Sequence, residues 1–345
     1  MSGATSFTSV PIVDISGLNS PEPAERERVA GEIGTAAREV GFFYVSGTGV
    51  DDAVFERMLA STRQFFALPL EEKMRSYIGL STCHRGYVPE GEEGVETGTA
   101  DLKEAFDTAL DLPADDPDHL AGNPMLGPNV WPDLPGFAEA VTEYYHAVFD
   151  VGHRLLWAFA VALKEDPDTF SRHATKTPSQ LRLVHYPYNP EAQDGQGIGA
   201  HTDYECFTLL KPTAPGLEVL NGAGEWIDVP PVPGTFVVNI GDMLELWTNG
   251  AYVATSHRVR KVPEERYSFP LFFNVDYHTE VKPLPQFASR DGKERPTLRA
   301  GEHLFAQTAQ TFAYLRNRVE AGELVLPDGS LEIGQFGQQA LRQRG

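Results

Sequence analysis

Hydrophobic residues follow two different spacings along the chain, and the change falls near residue 178. In the first half, apolar positions recur at the spacing of amphipathic helices, and Gly41 follows the first helix as a candidate C-cap. The predicted helices cover residues 23–40, 51–66 and 137–164, and short strands are predicted at 10–15 and 41–45. Residues 78–135 lack periodicity and are rich in glycine, proline and acidic residues, which predicts an irregular segment.

Beyond residue 178, short β-rich runs are separated by turn-forming pairs such as Asn-Gly and Pro-Gly. The predicted strands cover residues 181–186, 206–210, 217–220, 226–229, 235–240, 243–247, 256–262 and 267–275. Consecutive short strands without helices between them favour two packed sheets over a parallel sheet. A last helix is predicted over residues 301–319, and the polar tail from Gly329 has no predicted structure.

These elements predict an α+β fold with a double-stranded β-helix (jelly roll) core flanked by helices, all in a single domain. Its expected parts are an N-terminal helical and irregular region at residues 1–177, a jelly-roll catalytic core at 178–280, and a C-terminal helix and tail at 281–345. A chain of 345 residues is long enough to bury a substantial hydrophobic core.

The charge balance excludes some classes of partner. With 28 basic and 49 acidic residues the formal net charge is -21, which argues against binding to nucleic acid or to anionic membranes. The two cysteines, Cys83 and Cys206, form no metal-binding or disulfide pattern, and no apolar run is long enough to span a membrane. We therefore expect a cytoplasmic protein with a small-molecule partner and no obligate protein partner.

The segment His201-Thr202-Asp203 carries the first chemical signal. A histidine and a carboxylate two residues apart face the same way only when the backbone is extended, because strand side chains alternate between faces. His257, in a second strand-like run, is the best candidate for a third ligand. Two imidazoles and one carboxylate, with further coordination positions open, suit non-haem Fe(II) and dioxygen chemistry.

A second histidine imitates this pattern. His278 and Glu280 form an H-x-E pair, but the only histidine after them is His303, on a predicted helix. With ten histidines in the chain, His201 taken alone is more simply explained as an ordinary surface or core residue. A second group of residues, Arg266 and Ser268, is what favours the metal site.

Arg266 and Ser268 lie two residues apart in the last predicted strand and therefore share one of its faces. A guanidinium fork and a hydroxyl together suit the distal carboxylate of a dianionic cosubstrate, through charge-assisted hydrogen bonds. In isolation, Arg266 is equally explained as an exposed strand arginine beside acidic neighbours. Two other classes also remain open: a zinc or manganese enzyme for hydrolysis or isomerisation, and a non-catalytic binding protein.

The motifs HTD, SHRV and RYS, in this order, resemble those of the isopenicillin N synthase-like family of Fe(II)- and 2-oxoglutarate-dependent oxygenases. Further similar segments span almost the whole chain: VPIVDIS at Val10, GFFYVSG at Gly41, RGYVPEGEE at Arg85, HYPYNP at His185 and PLFFNVDYH at Pro270. The resemblance implies that His201, Asp203 and His257 bind iron. It also implies that Arg266 and Ser268 bind the C5 carboxylate of 2-oxoglutarate, with a further hydroxyl from Tyr186.

The resemblance implies a reaction and suggests the walls of a substrate pocket. Fe(II), 2-oxoglutarate and dioxygen would hydroxylate or desaturate a small molecule, with ascorbate as a possible reductant, in specialised metabolism. The alternative within the family is an oxidase that does not use 2-oxoglutarate.

Strand alternation places four residues beside the predicted site: Arg182, Val184, Val259 and Phe272. Arg182 is predicted to bind a substrate carboxylate or to pair with an acidic neighbour outside the pocket. Val184 replaces an asparagine found in many plant members of the family.

Overall fold

The computed structural model describes residues 5–94, 103–188, 196–260, 264–288 and 297–327. In this part of the chain the strands are β1 (Ile12–Asp14), β2 (Phe42–Ser46), β3 (Gly86–Val88), β4 (Glu104–Ala109), β5 (Gln180–Tyr186), β6 (Gln196–His201), β7 (Phe207–Pro212), β8 (Leu217–Leu220), β9 (Trp226–Asp228), β10 (Phe236–Ile240), β11 (His257–Arg260), β12 (Arg266–Phe273), β13 (Glu280–Val281) and β14 (Leu298–Arg299). The helices are α1 (Pro23–Glu39), α2 (Asp52–Phe66), α3 (Leu70–Met74), α4 (Pro117–Leu120), α5 (Phe137–Ala162), α6 (Asp242–Trp247), α7 (Ala300–Thr311) and α8 (Ala313–Glu320).

Two sheets form the centre of the molecule. The larger has the strand order β1-β2-β10-β7-β12-β5-β4-β3 and is antiparallel except for the pairing of β1 with β2. The smaller has the order β6-β11-β8-β9 and is antiparallel throughout. Strands from the first 177 residues and from the predicted core share the larger sheet, so both belong to one structural unit.

The outer face of the larger sheet is covered by helices. Helix α5 packs against α1, α2 and β12, and its buried side chains join a continuous apolar core with those of the sheet. Phe43 and Val45 of β2 point into this core, whereas Phe42 and Tyr44 point to the other face, as strand alternation requires. The helices predicted over residues 23–40, 51–66 and 137–164 are thus present as α1, α2 and α5.

The inner face of the larger sheet packs against the smaller sheet. Leu210 and Val237 of the larger sheet belong to one apolar cluster with Leu217, Val219 and Val259 of the smaller. Two facing sheets with helices on the outer side of one of them form the predicted jelly roll, and the α+β prediction is confirmed. The interior between the sheets is the space in which the predicted site residues are expected to meet.

Three predicted elements differ from the structure. Residues 243–247 form helix α6 and not a strand, because a short buried apolar run has no periodicity that separates the two. The segment predicted to be irregular contains β3 and the fully buried β4. Strand β4 was not predicted because its acidic residues are more typical of a loop. The last helix is broken at Phe312, which is extended and forms a bridge with Glu93.

Some predictions fall on other parts of the chain. The tail from Gly329 lies outside the described residues, as do the last two positions of the strand predicted over residues 256–262. In the described part of the chain no helix is both long and apolar enough to cross a membrane.

Gly152 shows how closely α5 packs on the sheet. A Cβ atom added there would lie 2.2 Å from the ring of Phe273, whereas one added at Gly31 in α1 would meet nothing within 4 Å. We expect Gly152→Ala to destabilise the protein by about 1–3 kcal/mol through overpacking. Gly31→Ala should instead stabilise it by about 0.5–1 kcal/mol, through helix propensity. Urea unfolding of both variants tests this, and equal shifts of the same sign would contradict the packing argument.

Candidate metal and cosubstrate site

Three side chains predicted to bind iron lie together at one end of the smaller sheet. His201 is the last residue of β6 and pairs directly with His257, the first residue of β11. Asp203 follows two residues after His201, and its Oδ1 lies 3.6 Å from Nε2 of His201 and 3.5 Å from Nε2 of His257. One candidate ligand atom from each residue lies within 4.8 Å of the others.

Neighbouring groups orient the side chains of Asp203 and His201. Thr208 and Asn239 both donate hydrogen bonds to Oδ2 of Asp203, the latter at 2.8 Å, which leaves Oδ1 turned towards the two imidazoles. Nδ1 of His201 lies 2.8 Å from the Gly199 carbonyl, so this nitrogen is assigned as the donor and Nε2 carries the lone pair. Such outer partners fix the direction of metal ligands.

The electrostatics of Asp203 suit a ligand that stays ionised. Burial by itself would raise the pKa of this carboxyl. The neighbouring His257 and His201 outweigh that effect and hold the pKa well below its ordinary value. The ring of His257 also packs edge-on against Phe42 of the larger sheet, with 5.2 Å between ring centroids. Two imidazole nitrogens and one carboxylate oxygen on a rigid frame fit a Fe(II) ion with further positions open to other ligands.

Arg266 is buried in the interior without a carboxylate partner in the described part of the chain. It is 1% exposed, and neither Nη1 nor Nη2 has a hydrogen-bond partner among the described residues. Its Nε lies 3.2 Å from the Ala214 carbonyl, and its guanidinium carbon lies 4.8 Å from the centre of the Tyr186 ring. Burial lowers the pKa of Arg266. An unneutralised buried cation is costly, so these two nitrogens fit an anionic ligand.

The strand register places the other predicted cosubstrate residues beside Arg266. Tyr186 pairs with Arg266 across β5 and β12, and Val184 pairs with Ser268. Directly paired residues point to the same face of a sheet, so these four side chains border one part of the interior. Tyr186 presents its ring to the guanidinium, which is a contact that the sequence prediction of a hydroxyl donor did not include.

Arg182 already has two acidic partners. Its Nε and one terminal nitrogen donate to both oxygens of Asp107 at 2.7 Å each, and its other terminal nitrogen donates to Glu93. Of the two predictions made for Arg182, pairing with acidic neighbours matches these contacts. Those neighbours point into the interior, however, and do not lie outside it as the sequence analysis expected.

The two remaining predicted pocket residues lie on opposite sheets. Val259 is buried in the apolar cluster between the sheets, and Phe272 lies on the inner face of β12. The Phe272 ring centre is 6.0 Å from the guanidinium carbon of Arg182. Their roles towards a substrate stay predictions.

Two residues that hold Asp203 in place were not predicted from the sequence. Thr208 and Asn239 pair with each other across β7 and β10, on the inner face of the larger sheet. A signal was present for Asn239, because it is a single amide inside the apolar strand FVVNI and is 2% exposed. A buried polar residue in such a strand needs a hydrogen-bond partner, which pointed to the site.

Two family models match the chain. The first, described as the non-haem dioxygenase in morphine synthesis N-terminal family, matches residues 10–134, and the second, the 2OG-Fe(II) oxygenase superfamily, matches residues 178–275. The 2-oxoglutarate-Fe(II) type oxidoreductase hxnY of Emericella nidulans is 36% identical over 289 residues, covering 81% of this chain and 83% of the relative. A homoarginine-6-hydroxylase of Glycine max is 36% identical over 333 residues, covering 90% of this chain and 100% of the relative.

Solved structures agree with these relatives. A 2OG-Fe(II) oxygenase family protein from Caulobacter crescentus has a TM-score of 0.76 at 32% identity, covering 91% of this chain and 99% of the other. The dioxygenase for auxin oxidation of rice has a TM-score of 0.69 at 26% identity, covering 91% and 96%. The chain therefore belongs to the 2OG-Fe(II) oxygenase superfamily. It is a Fe(II)- and 2-oxoglutarate-dependent dioxygenase that oxidises a small molecule.

Thr208→Val tests the orienting role of the hydroxyl on Asp203. We expect about a 10- to 100-fold loss of Fe(II) affinity, because a freed carboxylate is a poorer ligand. Thr235→Val is the matched control, since this buried hydroxyl bonds to the Val232 carbonyl away from the predicted ligands. Anaerobic Fe(II) titration measures the difference, and equal affinities in the two variants would contradict the assignment.

Proposed function

We propose that His201, Asp203 and His257 bind the Fe(II) ion of this dioxygenase. The proposal rests on the convergence of their Nε2 and Oδ1 atoms, with the opposite atoms of Asp203 and His201 already held by hydrogen bonds. This arrangement gives Asp203 and His201 one direction each before the metal binds, so little of their side-chain entropy is lost on binding.

For the cosubstrate, we propose that Arg266 binds the C5 carboxylate of 2-oxoglutarate, with Ser268 and Tyr186 completing the site. The carrying observation is the buried guanidinium whose terminal nitrogens have no partner in the described residues. Arg266, Ser268 and Phe272 share a face of β12, and Phe272 pairs with Thr208, which holds Asp203. The cosubstrate residues and the iron ligands thus border the same interior.

The chemistry itself would come from the bound groups: with Fe(II) present, dioxygen would be reduced by four electrons, two from the oxidation of 2-oxoglutarate to succinate and carbon dioxide and two from a substrate C–H bond. The protein's own residues bind and orient. Arg266 binds the distal carboxylate of the cosubstrate, and Asp203 supplies a negative charge that partly neutralises Fe(II). The apolar cluster around Val259 keeps water away from the interior.

The finer function is hydroxylation of a small polar metabolite, carried out in the cytoplasm. Relatives of this chain are named homoarginine-6-hydroxylases and clavatol oxidase, which supports hydroxylation or a related oxidation in specialised metabolism. The two cysteines are buried and free, which supports a reducing compartment. L-Homoarginine is the first compound to test.

The experiment uses protein purified without oxygen and reconstituted with Fe(II). Labelled 2-oxoglutarate should be converted to succinate slowly on its own and faster in the presence of a substrate. Binding of 2-oxoglutarate to the Fe(II) protein should also produce a weak visible charge-transfer band. A protein that neither shows this band nor releases labelled carbon dioxide would contradict the proposed site.

A further inference from the structure

Four charged side chains form a buried group on the inner face of the larger sheet, here called the inner ion network: Glu93, Lys103, Asp107 and Arg182. Arg182 binds Asp107 through two hydrogen bonds of 2.7 Å and also binds Glu93, whose other oxygen lies 2.8 Å from Nζ of Lys103. Glu93, Lys103 and Asp107 are 8% exposed or less. Burial alone raises the pKa of Glu93, yet Arg182 and Lys103 hold that pKa at about 2, so it stays ionised.

The inner ion network lies next to the proposed iron site. Asp107 pairs with Arg182 across β4 and β5. Two residues earlier on the same face of β5, Gln180 pairs with Phe272, and Phe272 pairs with Thr208. Gln180 on β5 is therefore two strands from Thr208 on β7, and Thr208 donates to Asp203, a proposed iron ligand. Two strand spacings amount to about 10 Å between backbones, a gap that side chains and a small molecule span.

Polar groups beside the network have no partner among the described residues. Nε2 of Gln180 is buried and makes no hydrogen bond there, and the residue is 8% exposed. Nε2 of His84, a residue that contacts Tyr314 and Phe312 on the same side of the molecule, is buried and unpartnered in the same way. A buried amide donor without a partner is costly and is typically explained by a ligand or water.

A second buried ion group in the same strands provides a contrast. On the opposite face of β4, Glu104 accepts hydrogen bonds from Lys73 and Tyr87 at 2.6 Å each and lies 2.8 Å from Nδ1 of His185. No buried side-chain atom of these four residues lacks a partner, and the same holds for the four residues of the inner ion network. That group faces the helices and is a closed structural network. The inner ion network differs in its surroundings, because it faces the sheet interior and has the unpartnered Nε2 of Gln180 beside it.

Within the inner ion network two cations pair with two anions. Burial raises the pKa of the Asp107 carboxyl, and the charges of Arg182 and the nearby buried Arg85 oppose that rise. A ligand that carries one charge would take a partner from one of these ions and leave another buried ion uncompensated. A ligand with one carboxylate and one ammonium group restores every pair. Gln180 and Arg182 are suited to the carboxylate, and Glu93 is suited to the ammonium group.

We propose that the inner ion network, together with Gln180, is the substrate-recognition site and that it selects a zwitterion such as a free α-amino acid. The inference rests on the proposed function, because it places the recognised group beside the iron site. Arg182, Glu93 and Gln180 are then specificity-determining residues, and the C–H bond that is oxidised belongs to the part of the molecule that extends towards Asp203.

The first test compares three forms of one compound. Succinate release is measured with the Fe(II) protein, 2-oxoglutarate and a panel of L-α-amino acids, and the best stimulator is then tested as its N-acetyl derivative and as its methyl ester. Loss of either charge should lower kcat/KM by about 10- to 100-fold, the effect of a lost charge-assisted hydrogen bond. Stimulation by an N-acetyl derivative or ester equal to that by the free amino acid overturns the proposal.

The second test separates recognition from folding. Glu93→Gln should raise KM for the amino acid about 10- to 100-fold and leave KM for 2-oxoglutarate unchanged. Glu104→Gln is the matched control, since it removes a buried carboxylate of the same strand pair on the other face. Gln180→Leu breaks no hydrogen bond at Nε2, so it should fold normally and still raise KM. Equal effects of Glu93→Gln and Glu104→Gln, or no effect of Gln180→Leu, overturn the proposal.

Different results would contradict the proposed function and the zwitterion proposal. If 2-oxoglutarate produces no charge-transfer band and is never decarboxylated, the proposed function is wrong. If the band and the slow background decarboxylation are present but no free amino acid accelerates succinate release or binds in anaerobic calorimetry, only the zwitterion proposal is wrong.

Discussion

Replacing Arg266 with methionine is expected to weaken 2-oxoglutarate binding by about 10²- to 10⁴-fold, because two charge-assisted hydrogen bonds are lost at about 1.5–3 kcal/mol each. The guanidinium is buried beside Tyr186, and its two terminal nitrogens have no partner among the described residues. Lysine should not restore binding, because a single ammonium group lacks the planar fork that matches a carboxylate. The dissociation constant of 2-oxoglutarate for the anaerobic Fe(II) protein measures the effect.

We also predict that Arg266→Met does not lower the free energy of unfolding of the ligand-free protein. Removing a buried side chain normally destabilises a protein, but here it removes a desolvated cation without an anionic partner in the described part of the chain. Without ligand, Arg266→Met should therefore be at least as resistant to urea as the parent protein. With 2-oxoglutarate only the parent should gain stability, since ligand binding stabilises the folded state.

Arg260→Met provides the control for both measurements. Arg260 lies on β11 of the smaller sheet, is about half exposed, and pairs with Asp228 at 2.8 Å. Its loss should change neither cosubstrate affinity nor the stabilisation by 2-oxoglutarate. If Arg266→Met bound 2-oxoglutarate as tightly as Arg260→Met does, the cosubstrate assignment would be wrong.

Local patterns predicted the parts of the fold that they determine. Helices α1, α2 and α5 follow from helical spacing, and Gly41 after α1 has φ +73, where a Cβ would lie 2.2 Å from the Val253 carbonyl. The extended backbone at His201 followed from the alternation of strand side chains, since β6 ends at this residue, and Asp203 lies in the loop that continues the strand. In each case the information lies within a few residues.

Long-range pairing decided the parts that local patterns did not predict. Strand β4 contains Glu104 and Asp107, which look like loop residues until Lys73 and Arg182 neutralise them across the fold. Phe312 interrupts the last helix because it pairs with Glu93, 219 positions earlier in the chain. Thr208 and Asn239 orient Asp203 from two other strands. Such partners are brought together only by the strand order, which single-sequence patterns do not specify.

His201→Ala is the sharpest test of the iron site. Even outer partners of metal ligands contribute about 10- to 100-fold to metal affinity, so loss of a direct ligand should cost at least about 100-fold and remove substrate oxidation. The His201 side chain is 35% exposed, so its removal should leave the metal-free protein folded and nearly as stable as the parent. The fold and the metal site are thereby separated in one variant.

His278→Ala is the matched control for this test. His278 begins the H-x-E pair that imitates the metal motif, but its side chain is 65% exposed and its Nε2 lies 3.2 Å from Asp118. It lies outside the group of candidate ligands formed by His201, Asp203 and His257. Anaerobic Fe(II) titration and succinate release should therefore match the parent protein for His278→Ala and fall only for His201→Ala. Iron binding that depends on His278 and not on His201 would place the metal elsewhere. Both histidines stand two residues before a carboxylate, and what distinguishes His201 is that His257 pairs opposite it.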